Sequence, residues 1–275
     1  MDNAFILSFA GLSFRIDAPS QSWKQALQKQ FSAFLSQDTP QWRIALRHDP
    51  DAPDIHRSWA VHDDAQTLFR VAAYQGRVHL PSRSAEVSSP SLARAPSALA
   101  RTVIFIATLM LPRELDGLLL HACGVAAGQV ACAFCGPSGA GKSTIARLAG
   151  PELQVLSDEN VIARLEGGDA ALYSTPFWGQ NTPESQVRRT RLRRSLAALF
   201  IPKQSPDWFL RPLRPSEAIL ALLATEKVAM ERTESARAWL DVASRLIARV
   251  PIFELGFLPS PELWPFLTAQ GFEFS

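Results

Sequence analysis

One short segment constrains this chain more than any other. The apolar run Val130 to Cys135 leads directly into Gly136-Pro137-Ser138-Gly139-Ala140-Gly141-Lys142-Ser143, and Ser143 to Leu148 continues at helical spacing. Strand, glycine loop and helix in that order are what the phosphate-binding P-loop pattern G-x-x-x-x-G-K-[ST] requires. Glycines let successive backbone N–H groups turn inward toward phosphate oxygens, the lysine reaches the β- and γ-phosphates, and the hydroxyl after it ligates Mg²⁺. The pattern therefore predicts an α/β chain that binds a nucleoside triphosphate with Mg²⁺. Gly136, Ser138, Gly139, Ala140, Gly141, Lys142, Ser143 and Thr144 are expected around the nucleotide, with Ser143 on the metal.

A P-loop alone does not separate a motor, a switch and a kinase, so the next acidic groups matter. Asp158 and Glu159 close a short predicted strand, Gln154 to Ser157, a brief interval after Lys142. A carboxylate at a strand end can bind Mg²⁺ or take a hydroxyl proton, and two adjacent carboxylates can divide those tasks. An ATPase motor places a further strand and many more residues between the two motifs, so the short interval favours phosphoryl transfer. His121 lies on the predicted strand Gly117 to Gly124, one strand before the loop, within reach of the γ-phosphate if the two strands are neighbours. Asp158, Glu159 and His121 are the candidate catalytic groups.

The rest of the chain reads as two regions. Residues 1–96 look β-rich, and this region is expected to recruit the acceptor or support the catalytic domain. A hairpin is predicted about Gly11 from Ala4 to Phe9 and Leu12 to Ile16, a helix from Trp23 to Leu35, and short strands at Trp42 to Leu46, Trp59 to His62, Thr67 to Ala72 and Val78 to Leu80. The Ser- and Pro-rich stretch Pro81 to Pro96 is expected as a linker. Residues 97–275 are expected to form the P-loop domain, opening on a helix from Ser97 to Leu111 that ends at Pro112.

Composition removes several classes of function. The 28 basic and 26 acidic residues leave a net charge of +2, too balanced for wholesale nucleic-acid binding. Apolar stretches such as Thr102 to Pro112 fall short of the roughly 20 residues needed to cross a bilayer. Asp2 sits where a secretory leader carries Lys or Arg, so a cytoplasmic location is expected. Three cysteines do not make a disulfide framework. Cys132 and Cys135 have metal-site spacing, but on a strand they face opposite sides and are expected as core residues. His48, His56, His62 and His79 show no ligand spacing. Arg188, Arg189, Arg191, Arg193 and Arg194 follow a predicted helix start at Thr182 and Pro183, and this dense cationic segment is either a solvated face or a contact for phosphate or acidic peptide. A homo-oligomer is left open.

Three ordered motifs carry a family resemblance. Leu119-Leu120-His121-Ala122-Cys123-Gly124-Val125, the loop Gly136 to Ser143, and Leu156-Ser157-Asp158-Glu159-Asn160-Val161 resemble the catalytic domain of HPr kinase/phosphorylase and, more closely, the HPr-kinase-related kinases. Ser174-Thr175-Pro176-Phe177-Trp178-Gly179 is similar to the Thr-Pro-Trp-x-Gly stretch of those relatives, and Val250 to Leu255 resembles their last strand. The resemblance spans roughly Gly117 to Leu258. It implies a phosphoenolpyruvate carboxykinase-like P-loop fold and transfer of the γ-phosphoryl group of ATP to a serine of a protein or peptide, ribosomally made peptides such as lasso peptide precursors included. It further implies that His121 lies beside the reacting phosphate, with Asp158 and Glu159 as base and metal ligand. Glu159 stands where HPr kinase has aspartate, which leaves open how the two acids share the work. The glycine-rich signature that follows the acids in that family is missing here, which puts the reverse phosphorylase reaction and HPr as substrate in doubt. A small-molecule kinase and a nucleotide-gated binding protein remain the competing readings.

Overall fold

The structure, a computed structural model, describes residues 2–51, 59–62, 66–71, 74–179, 189–226 and 233–274. Among these residues the protein is mixed α/β, with two mixed sheets and six α-helices. It divides into two compact units, Met1–Ala107 and Thr108–Ser275. The division falls within a helix, not ahead of it.

In the first unit, β1 (Ala4–Phe9) and β2 (Leu12–Asp17) form a hairpin about Ala10 and Gly11, both left-handed at φ 50° and 85°. A two-residue turn of this kind matches the twist of the flanking strands. Helix α1 (Gln21–Gln30) starts at Ser20, whose hydroxyl accepts from the Trp23 N–H, and buries Trp23 and Leu27. The helix expected to reach Leu35 stops earlier. A 3₁₀ turn at Ser32–Phe34 buries Phe34 edge-on against Phe9, and β3 (Leu35–Ser36) follows.

Strands β4 (Trp42–His48), β5 (Trp59–His62) and β6 (Gln66–Val71) occupy segments where strands are expected, whereas β7 (Tyr74–His79) begins four residues before the expected Val78 to Leu80. The expected linker over 81–96 is overturned, because it contains β8 (Ser84–Ser89). Its serines hide a period-2 pattern in which Ala85 and Val87 are buried, and backbone pairing with β4 on one edge and β7 on the other holds it. The sheet order is β3-β1-β2-β4-β8-β7-β6-β5, parallel at β2/β4 and β4/β8 and antiparallel elsewhere.

Helix α2 (Ala95–Glu114) is longer at both ends than expected and carries Pro112 in its last turn. It is the one described helix long and apolar enough to cross a bilayer, and 72% of its most apolar window is buried. A helix apolar on all sides fits a core position as well as a membrane one.

The second unit is built around one bent strand. β9 (Gly117–Leu120) and β10 (Ala122–Ala127) are separated only by His121. Opposite them run β12 (Gln154–Ser157) and β13 (Val161–Glu166), separated only by Asp158, Glu159 and Asn160. Leu120 faces Val161 and Gly124 faces Ser157 in the same antiparallel register, which a bulge then shifts between Gly124 and Val125. Beyond them, β11 (Val130–Cys135) pairs with β10, and β14 (Asp169–Tyr173) pairs with β13. The long β15 (Arg193–Gln204) lies parallel to β11 and antiparallel to β14, so the hydrogen-bonded neighbours close into a ring.

β16 (Phe209–Pro212) and β17 (Ile252–Phe257) extend the sheet from the far half of β15. Helices α3 (Lys142–Leu148), α4 (Pro215–Leu223), α5 (Thr233–Ile247) and α6 (Leu263–Ala269) complete the unit.

Alternate residues of β11 feed two cores, as a strand buried on both faces must. Ala131, Ala133 and Cys135 pack with Leu199, Trp239 and Leu246. Cys132 and Phe134 pack with Phe200, Phe257 and Trp264, with Phe134 stacked on Phe200 at 5.1 Å. Cys132 and Cys135 thus belong to different cores. All three thiols are free and buried, and burial pushes those of Cys132 and Cys135 up to about 12. They are packing groups, inert near neutral pH.

Candidate functional site

The continuous register brings three separate sequence motifs to one end of the ring. The Gly136 N–H donates to the His121 carbonyl (3.3 Å), and the Ala122 N–H donates to the Glu159 carbonyl (3.0 Å). His121 therefore lies with the first glycine of the loop on one edge of its strand and the acidic turn on the other.

The loop between β11 and α3 depends on glycine at two positions for different reasons. Gly139 and Gly141 are both left-handed, at φ 85° and 98°. A Cβ on Gly139 would meet nothing within 4 Å, whereas one on Gly141 would lie 2.5 Å from the Phe257 ring. Phe257 is 1% exposed at the end of β17 and has no room to retreat. Gly139→Ala is expected to lose about 1 kcal/mol, from backbone conformation alone. Gly141→Ala should lose about 2–4 kcal/mol, because overpacking adds to the same strain. Urea midpoints of the two variants check this, and equal losses would remove Phe257 as the cause.

Inside the loop, Lys142 is buried and its Nζ donates to the carbonyls of Gly136 (2.7 Å) and Pro137 (2.9 Å). Burial lowers its pKa, and the carboxylates of Glu159 and Asp158 act in the opposite direction without reversing the shift. Lysine and acids therefore share one electrostatic environment. The N–H groups of Gly139, Gly141, Lys142, Ser143 and Thr144 have no protein acceptor among the described residues. The Ser143 and Ser138 side chains are exposed, and Ala140 is half-buried. Thr144 turns its hydroxyl to Arg147, whose Nη2 donates to it at 3.2 Å.

The acidic turn is held by hydroxyls that sequence reasoning leaves without a role. Ser157 Oγ donates to the Phe177 carbonyl (2.7 Å) and accepts from the N–H groups of Glu159 and Asn160 (both 3.1 Å). Thr175 Oγ1 donates to the Asn160 carbonyl (2.6 Å), and the Gly179 N–H donates to Asp158 Oδ1 (2.9 Å). Ser157 and Thr175 are fully buried, and Asp158 is 2% exposed. The segment Ser174 to Gly179 is thus a clamp on the acids. The one sequence signal for it is a serine placed two and three residues ahead of the N–H groups it caps.

The cationic segment is only partly described, since Thr182, Pro183 and Arg188 lie outside the described residues. Its described part is not helical, because Arg193 and Arg194 open β15. Arg193 is an ion-pair partner of Glu166, which also accepts from the Tyr173 hydroxyl. Burial raises the Glu166 pKa, but the bonds from Tyr173 and Arg193 and the charge of Arg164 outweigh it and hold the carboxyl below its usual range. Compared with known proteins, the chain matches no family model and no curated sequence.

Proposed function

We propose that the second unit is a P-loop kinase core that transfers the γ-phosphoryl group of ATP to a serine hydroxyl of a protein or peptide. The observation that carries this reading is the convergence of His121, the glycine loop and the Asp158–Glu159 turn through a shared strand register. Uncommitted N–H groups beside a buried lysine are what a polyphosphate needs. Magnesium suits the oxygen donors Ser143 and Glu159, because this ion takes one or two protein oxygens plus phosphate. Ser143 and Glu159 would hold it, and there it would supply neutralisation of the phosphate charge.

In this reading Lys142 leaves the loop carbonyls to hold phosphate oxygens. Asp158, fixed by the Gly179 N–H, takes the serine proton as the hydroxyl oxygen bonds to the γ-phosphorus and the bond to the β–γ bridging oxygen breaks, releasing ADP. His121 positions the transferred group. The resemblance to HPr-kinase-related kinases supports the same assignment, and the first unit is taken to recruit or orient the acceptor.

Incubation with ATP, Mg²⁺ and a library of serine peptides, read by mass spectrometry, tests the proposal. Phosphoserine together with ADP is expected. ADP formation with phosphate only on a small molecule would move the acceptor class, and nucleotide binding without turnover would remove the kinase.

A further inference from the structure

The two hydroxyls that hold the acidic turn meet at Asn160. Its N–H donates to Ser157 Oγ (3.1 Å) and its carbonyl accepts from Thr175 Oγ1 (2.6 Å), so buried hydroxyls fix its backbone from both sides. Its side chain is the opposite case. The residue is only 8% exposed, yet its carboxamide has no hydrogen-bond partner among the described residues. Nor is the amide sealed from solvent, as the indole nitrogens of Trp178 and Trp239 are. A carboxamide brings two N–H donors and one acceptor, and a side chain this buried normally satisfies them.

The strand register puts this amide beside the histidine. Leu120 faces Val161, so one step on His121 stands across from Asn160; Ala122 faces Cys135, so His121 also stands across from Gly136, the first residue of the loop. Gly136, His121 and Asn160 thus form one row across the sheet. Leu120, Ala122 and Val161 pack into the core that holds Trp239. His121 and Asn160 alternate with them and turn to the other face, the one that carries Cys123 and Ile145 of α3. Burial pushes the Cys123 thiol up, and the charges of Asp158 and Lys142 also act on it. Loop helix, lysine, acid and amide therefore share a face, and directly opposed residues such as His121 and Asn160 have their side chains about 5 Å apart at the root.

We infer that the Asn160 carboxamide donates to an oxygen of the terminal phosphoryl group of the bound nucleoside triphosphate, alongside His121. This rests on the phosphate-binding reading of the loop and is independent of transfer to a serine. Ionised Asp158 and Glu159 can only accept, so the terminal phosphate arriving beside them needs donors. A cation at this position would favour the charged form of Asp158 and weaken it as a base, whereas a neutral N–H holds phosphate without that effect. Two other roles compete: the acceptor end of the amide on Mg²⁺, and the amide on the acceptor serine.

Calorimetry on the full chain with Mg²⁺ compares ADP with the β,γ-imido analogue of ATP, which keeps the terminal phosphate and does not react. Asn160→Ala is expected to weaken binding of the analogue about tenfold and to leave ADP unchanged. Asn160→Asp has nearly the same shape but puts a charged acceptor where the donors were, and should weaken the analogue about 100-fold, again sparing ADP. Because Asn160→Ala removes no hydrogen bond, its melting temperature should stay within about 2 °C of the parent chain. A merely structural Asn160 would instead lower the melting temperature and weaken both nucleotides together, and an amide on Mg²⁺ would weaken both without lowering it; either result overturns the inference. Unchanged affinity for both nucleotides in both variants overturns it as well and leaves the amide to the acceptor serine. If the parent chain binds neither nucleotide, the phosphate-binding reading of the loop falls and the inference with it. A failure to phosphorylate any serine peptide, by contrast, leaves a positive result standing.

Discussion

Asp158→Asn is expected to slow phosphoryl transfer by about 10²- to 10⁴-fold while leaving nucleotide affinity nearly unchanged. The substitution is close to isosteric, and the amide oxygen can still accept from the Gly179 N–H that holds Oδ1 at 2.9 Å. Position and packing are therefore kept, and only the basic charge is lost. A serine hydroxyl is a poor nucleophile at neutral pH, so a carboxylate that takes its proton during attack accounts for a factor of this size. If Asp158 instead holds the metal, affinity for the magnesium nucleotide should fall together with the rate, and Glu159 becomes the better base. Transfer rates and calorimetric affinities measured on the same variant separate these outcomes. Normal transfer would take Asp158 out of the mechanism.

Lys142→Ala should weaken ATP binding by about 100-fold, the upper end for one charge-assisted hydrogen bond. Burial has already stripped this ammonium of much of its water, so its pairing with phosphate is not diluted by solvent. The variant also leaves the carbonyls of Gly136 and Pro137 without the Lys142 ammonium and removes one positive charge from the neighbourhood of Glu159 and Asp158. A stability loss of about 1–3 kcal/mol is expected from that alone. Calorimetry at a temperature where the variant is folded, checked by its melting curve, distinguishes lost affinity from lost fold. Unchanged affinity would refute the phosphate-binding assignment of the loop.

Much of the second unit was legible because its signals are local. The apolar run to Cys135, the glycines and the helix from Lys142 state strand, turn and helix within a few residues of one another. What stayed hidden depends on partners far along the chain. Nothing near Gly141 announces that Phe257 packs beneath it, and nothing near Val130 announces a parallel neighbour at Ser195. β8 resembles a linker in sequence because serine content masks a half-buried alternation, and only its two flanking strands make it a strand. The first arginines of β15 invited a helix because charge density carries no period. The acids were visible as acids, but the hydroxyls of Ser157 and Thr175 that fix them could not be told from ordinary polar residues without knowing where the backbone turns.

The bent strand through His121 makes the site depend on chain length more than on side-chain identity. His121, Gly136 and Glu159 are tied through main-chain hydrogen bonds, which survive most substitutions. Inserting or deleting one residue between Leu120 and Gly124, or between Ser157 and Val161, would instead turn the rest of that strand over. Residues of one core would then point into the other, and the histidine would lose its place beside both the loop and the acids. Variation in this protein should therefore accumulate as replacements along these strands and as length changes only in the turns between them.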